Sequence, residues 1–221
     1  MEYTRNPAEQ TTAVTDLILA AVALGGIFLL QCGPLSAAEF VRMTVWSAAV
    51  GLIGLAAALG AAVHGLVLEQ KLHQRIWRIL NAALALAVAL FVVGVVIDLW
   101  GLRASYMALP LMLLTGLGFC VLTSVFPDIF FVFIVYEGLA LAFALGAYVF
   151  LSLRNELDGA GLMAAGIFVS IAAAVVQSRK SISFTLIWHF DHNGIYHLIQ
   201  IIGLIFLVVG LKWPMLGRIV D

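Results

Sequence analysis

From one charged residue to the next, the chain is mostly long apolar stretches. Uncharged runs occupy 17–38, 43–68, 79–97, 104–127 and 159–178, each near the roughly 20 residues a helix needs to cross a hydrocarbon core. Two further runs, 129–153 and 181–211, have the length but hold one acid each, Glu137 and Asp191. The pattern predicts seven membrane-spanning helices at approximately 14–35, 43–68, 77–100, 104–125, 129–153, 159–178 and 186–211. A membrane barrel would alternate apolar and polar residues over roughly ten-residue segments; no such alternation is present, so strands are not expected. Connections such as Cys32-Gly33-Pro34 and Asn155–Gly159 are short and leave no room for an extramembrane domain. Residues 1–221 are therefore read as one all-α domain, a polytopic integral membrane protein built as a seven-transmembrane-helix bundle.

Small residues recur at helical spacing, as in Gly51, Gly54, Ala58 and Ala62, and in Ala164, Gly166 and Ser170. They predict close helix packing. The lead Met1–Asp16 sets Glu2 and Glu9 against Arg5, the wrong flank for a signal peptide, and is read as retained. Leu29-Leu30-Gln31-Cys32 matches a lipoprotein cleavage box poorly and is read as part of the first helix.

Composition agrees with the pattern. Of 221 residues, 64% are hydrophobic and 10% charged, with a mean hydropathy of +1.13, whereas charged residues supply about a quarter of a soluble chain. The lipid bilayer is the expected partner. A net charge of -1 offers no field for nucleic acid. Cys32 and Cys120 lie in separate apolar runs and suggest neither a disulfide framework nor a cysteine metal site. Arg5, Lys71, Arg75, Arg78, Arg179 and Lys180 fall on the N-terminal side; Arg42, Arg103, Arg154, Lys212 and Arg218 fall on the other. The cluster Lys71–Arg78 in one short loop places the N-terminus in the cytoplasm by the positive-inside rule.

The candidate chemistry is concentrated. All five histidines lie in two segments, His64 and His73 around the end of helix 2, and His189, His192 and His197 at the start of helix 7. In an up-and-down bundle both segments emerge on one face, and they meet if helices 2 and 7 are neighbours. Glu137 lies roughly 13 Å into helix 5 from the same face, counted from Asp128, whereas Asp98 lies about 30 Å from the start of helix 3. Glu69 is expected to be wet and His73 to sit in a solvated loop. Ionisable groups within a bilayer are costly and are functional candidates by default, which singles out Glu137 and Asp191. On an unbroken helix His189, Asn193, His197 and Gln200 share a stripe, and His192 points about 140° from His197. The Asp191-His192-Asn193-Gly194 run is also of a kind that caps or breaks a helix, and both geometries are open.

Seven spans in this length, a histidine ending helix 2 and a histidine pair opening helix 7 resemble the CREST superfamily, which includes alkaline ceramidases and the progestin and adipoQ receptors. Its pattern has Ser-x-x-x-His on helix 2, an Asp at the start of helix 3 and His-x-x-x-His on helix 7. Here His64 is preceded by Gly60 at the serine position, Arg75 stands eleven residues beyond His64, and helix 7 reads Asn193-x-x-x-His197 with His192 one residue early. Tyr196 and Asp191 look like the flanking residues of that pattern. The likeness covers the topology but few residues. It implies zinc held by three histidines, with a bound water.

Three neutral imidazoles with one open position suit catalytic zinc, which lowers the pKa of its water to about 7. His64, His192 and His197 are the expected metal ligands. Glu137 or Asp191 would orient the water or move its proton, and Asp191, Asn193 or Gln200 would hold a ligand histidine from behind. A site at bilayer depth meets lipid-like substrates, so the expected function is zinc-dependent hydrolysis of a lipid amide or ester. The alternative is a non-catalytic receptor or accessory subunit whose histidines and acids form a structural network. A retinal pigment is rejected because Lys212, the helix 7 lysine, stands at its exit. A haem held by His64 and His197 has no further sign.

Overall fold

The computed structural model describes residues 2–125, 130–179 and 181–220, with side chains at 123–124, 130–131, 133 and 214–220 excepted. Asp128 and Lys180 lie outside the described residues, as does the Arg218 side chain. Among the described residues, seven helices are long and apolar enough to cross a membrane. The chain runs β1 (Glu2–Tyr3), α1 (Pro7–Gln31), α2 (Ala37–Gly65), β2 (Leu66–Val67), α3 (Gln70–Trp100), α4 (Leu102–Val125), α5 (Phe130–Leu153), α6 (Ala160–Gln177), β3 (Ser183–Thr185), β4 (His189–Asp191) and α7 (His192–Val220).

Several helices overrun their charge-defined limits, because a helix ends where its backbone is capped and not where the hydrocarbon ends. The Asn6 side chain accepts from the Ala8 amide at 3.1 Å and Pro7 opens α1, so Glu9 and Asp16 are helical and not part of a lead. A reciprocal capping box between Ser36 and Glu39 starts α2 and brings Arg42 inside it. α3 begins at Gln70, so His73 is helical, half-buried, and accepts from Trp77 Nε1 at 3.3 Å. It is not a loop residue. Conversely α7 starts six residues later than the 186 expected, because the chain before it forms a hairpin.

Two antiparallel strand pairs depart from the expectation of no strands. β1 pairs with β2, and Phe184 of β3 faces Phe190 of β4. Both lie at the face where α1 begins, outside the apolar spans, so they leave the all-α bundle intact.

Helix neighbours run α2–α1–α7–α6–α5–α3, closing through α2–α3, with α4 against the outside of α3. The condition of adjacent helices 2 and 7 is thus not met directly; α1 stands between them. Its Gly26 shows why it fits, since a Cβ there would lie 3.1 Å from Val208 of α7 and 3.7 Å from Val50 of α2. On the α6–α7 seam, a Cβ on Gly166 would come within 2.6 Å of the Gly203 carbonyl, which accounts for the small-residue run there.

The core centres on Trp46, edge-on to Phe91 at 5.4 Å, with Tyr148, Met163 and Leu204 fully buried. Towards the far face, Arg42 Nε donates to Asp98 Oδ1, and the Tyr148 hydroxyl donates to Asp98 Oδ2 at 2.7 Å. Lys212, also buried, donates from Nζ to the Cys32 carbonyl that ends α1.

The Asp98 side chain is fully enclosed, and removing one partner of a buried ion pair costs about 3–5 kcal/mol. Arg42→Ala is expected to lower thermal stability in detergent by that order. The double variant Arg42→Ala/Asp98→Ala is expected to lose less than the sum of the single changes.

Candidate functional site

A cavity of about 330 Å³ opens at the face where α1 begins, and His64, His192, His197, Asp16 and Glu137 all line it. The two histidine segments therefore do converge, but from either side of α1, whose polar residues occupy the space between them.

His64, in the last turn of α2, places Nδ1 2.6 Å from Glu9 Oε2, and its ring stands edge-on to Trp77 at 5.8 Å. A carboxylate only accepts hydrogen bonds, so this contact pairs it with the tautomer protonated at Nδ1. In the neutral ring Nε2 then keeps its lone pair. A carboxylate behind a histidine fixes ring and tautomer in this way at metal and acid–base sites.

His197 is buried on α7, with Nδ1 3.2 Å from Thr15 Oγ1 and Nε2 3.3 Å from Asp16 Oδ1. The single hydroxyl proton of Thr15 is directed to the Thr12 carbonyl at 2.9 Å, so Thr15 accepts from Nδ1–H. The neutral ring then turns a bare Nε2 towards a carboxylate oxygen. Two acceptors at that distance repel unless a proton or a cation lies between them. The other oxygen, Asp16 Oδ2, is buried without a hydrogen-bond partner. Gly60 makes room for this carboxyl, since a Cβ there would meet its oxygens at 2.7 and 2.9 Å.

His192 is the first residue of α7, with Nδ1 4.0 Å from Asp191 Oδ2. α7 is continuous from His192, and the cavity wraps around its first turns, so His192, Asn193, Tyr196 and His197 all reach it. The break falls before His192, not between His192 and His197. His189 lies on β4, exposed, with Nδ1 2.9 Å from Thr185 Oγ1, away from the cavity lining.

Asp191 does not line the cavity. Its Oδ1 accepts from the amides of Asn193 and Gly194, both at 3.0 Å, and from Thr12 Oγ1 at 3.1 Å. It caps α7 and ties it to α1. Glu137 has no hydrogen-bond or ion-pair partner among the described residues, and with Tyr196 it also lines a second cavity of about 80 Å³ that continues among apolar side chains. Gln200 reaches only that second space.

Asp16 is the site residue that a charge-to-charge reading passes over, because the first uncharged run starts just after it. A signal was present: Glu9, Thr12 and Asp16 repeat at i, i+3 and i+7 and mark one polar helix face. Among the described residues, no three His, Cys, Asp or Glu side chains form a group placed to hold a metal ion. His64, His192 and His197 share a cavity without forming such a group.

The chain belongs to the family of unknown function DUF6962, whose family model matches residues 11–215. No curated protein and no solved structure matches it.

Because Asp191 caps α7, Asp191→Ala is expected to cost about 1 kcal/mol of stability, read as a lower melting temperature in detergent. Asp191→Asn, which still caps, should retain most of it.

Proposed function

We propose that this protein is an intramembrane hydrolase acting on an amide or ester bond of a lipid-like substrate, with Asp16 and His197 at its reactive centre. The observation that carries the reading is the Asp16–His197 contact. A buried carboxyl and imidazole, 3.3 Å apart, with one carboxyl oxygen unpartnered, stand on the wall of a cavity with both polar and apolar lining. Ionisable groups inside a bilayer are retained for function by default.

Zinc belongs to the proposal. The 3.3 Å between His197 Nε2 and Asp16 Oδ1 suits two neighbouring ligands on a tetrahedral ion with bonds of about 2.0–2.1 Å. His64, backed by Glu9, and His192 face the same cavity and are suitable donors in kind. A complete ligand set is not drawn together among the described residues. Asp16, His197 and His64 would hold the ion, which when bound supplies a hydroxide nucleophile near neutral pH.

The chain's own groups divide the rest of the work. The Asp16 carboxylate takes the proton of the attacking water, and Thr15 holds the His197 imidazole through Nδ1. Glu137, without a partner of its own among the described residues, is the candidate donor of a proton to the leaving amine or alkoxide. Leu19, Ile53 and Leu80 offer apolar wall to the substrate body. The resemblance to the CREST pattern lends support through His64 and His197 only: Gly60, Arg75 and Asn193 depart from it, and Asp16, which lies against Gly60, is not part of that pattern.

A second reading, a non-catalytic binding protein or receptor, draws on the absence of a gathered metal group among the described residues. Its histidines and acids would then form a hydrogen-bonded lining only.

Reconstituted protein incubated with ceramides and lysolipids is expected to release fatty acid, with turnover reduced about 100-fold or more in Asp16→Asn and Glu137→Gln. Elemental analysis should find about one zinc per chain, lost in His64→Ala and His197→Ala. Saturable lipid binding without turnover in zinc-loaded protein would decide for the second reading.

A further inference from the structure

The hairpin between α6 and α7 has an unusual tip. Leu186, Ile187 and Trp188 follow one another with 81%, 77% and 65% of their surface exposed. The segment is nevertheless tightly built. Leu186 N bonds the Trp188 carbonyl at 3.3 Å, Phe184 stacks on Phe190 at 5.2 Å, and Thr185 Oγ1 lies 2.9 Å from His189 Nδ1. It is also tied to the bundle, since Thr11 Oγ1 donates to the His189 carbonyl at 2.6 Å and Thr12 Oγ1 donates to Asp191. An ordered hairpin thus holds three consecutive large apolar side chains away from the protein.

Facing water, such a tip would be strongly unfavourable. The apolar phase adjoining this end of the bundle is the bilayer that its helices cross. The surroundings match a lipid headgroup layer. Lys71, Arg75 and Arg78 are exposed in the first turns of α3, and exposed Arg179 precedes the hairpin, while among the described residues the exposed acids on this face are Glu2, which pairs with Arg5, and Glu69. Clustered cations at the membrane surface attract anionic headgroups, and tryptophan favours the interface between them and the acyl chains.

We propose that the Leu186–Trp188 tip inserts into the headgroup boundary of the protein's own membrane and is an interfacial anchor for the start of α7. The hairpin then fixes the mouth of the cavity to the lipid surface, since β4 leads directly into His192 and is pinned to α1 beside the cavity.

Trp188 reports on this directly. The full chain is reconstituted in phosphatidylcholine vesicles containing phosphatidylglycerol, and the Trp188 signal is taken as wild type minus Trp188→Phe, which isolates it from Trp46, Trp77, Trp100 and Trp213. Phospholipids brominated at acyl positions near the headgroup are expected to quench that signal at least twofold more than lipids brominated near the chain end, with little quenching by aqueous iodide. Iodide quenching as strong as for free tryptophan amide, with none from brominated lipid, would overturn the proposal by placing the tip in water. Protection from both quenchers would also overturn it, by placing the tip against protein, such as a second copy. Ile187→Asp provides a check that leaves Trp188 in place: lipid quenching should fall at least twofold while the melting temperature in detergent, where the tip has no bilayer to enter, is unchanged.

Discussion

A carboxyl group within a bilayer has no water to solvate it, so its neighbours must, and this requirement organises one end of the molecule. Asp16 lies a little more than two turns into α1, where one oxygen meets His197 and the other is enclosed against Gly60. Each of those contacts constrains a different helix. Gly60 must lack a side chain for α2 to approach, and His197 must be held by Thr15 for its Nε2 to face the acid. Glu9, two turns earlier on the same helix, orients His64 in the same way. α1 is therefore the element through which the polar groups of α2 and α7 are coordinated.

The opposite end solves the same problem differently. Arg42, Asp98 and Tyr148, from α2, α3 and α5, join in a compact cluster that pairs both Asp98 oxygens and leaves Arg42 Nη2 buried without a partner among the described residues, and the Trp46–Phe91 contact occupies the core nearby. There, the charges form a cross-brace. At the α1 end, Asp16 Oδ2 and Glu137 are left without partners among the described residues and face or border open space. An acid whose oxygens are both paired away from any cavity reads as structure, whereas acids left unpartnered beside a cavity read as chemistry.

Much of this was legible in the sequence. The seven spans follow from the apolar runs, and His64, His192, His197 and Glu137 do line one cavity, as their clustering at one end of the bundle suggested. The helix starts were also written there, in Asn6-Pro7 and Ser36-x-x-Glu39, but reading boundaries from charges overlooked them. Counting Asp16 with the polar lead, although it falls inside the 14–35 span, left it out of the site. Asp191 went the other way. An acid in an apolar run looks catalytic, yet followed by His192-Asn193-Gly194 it also has the chemistry of a cap, and its Oδ1 is taken by two backbone amides.

The sequence by itself determined how many times the chain crosses the bilayer and at which end its titratable groups collect. Hydrocarbon penalises each charge and rewards each apolar residue locally, so those features add up along the chain. Which helix stands beside which was decided only in three dimensions. In lipid the spans are apolar over most of their surface, and neighbours are selected by side-chain fit at places such as Gly26 and Gly166. The insertion of α1 between α2 and α7, and with it the meeting of Asp16 and His197, depends on that fit between residues far apart in sequence.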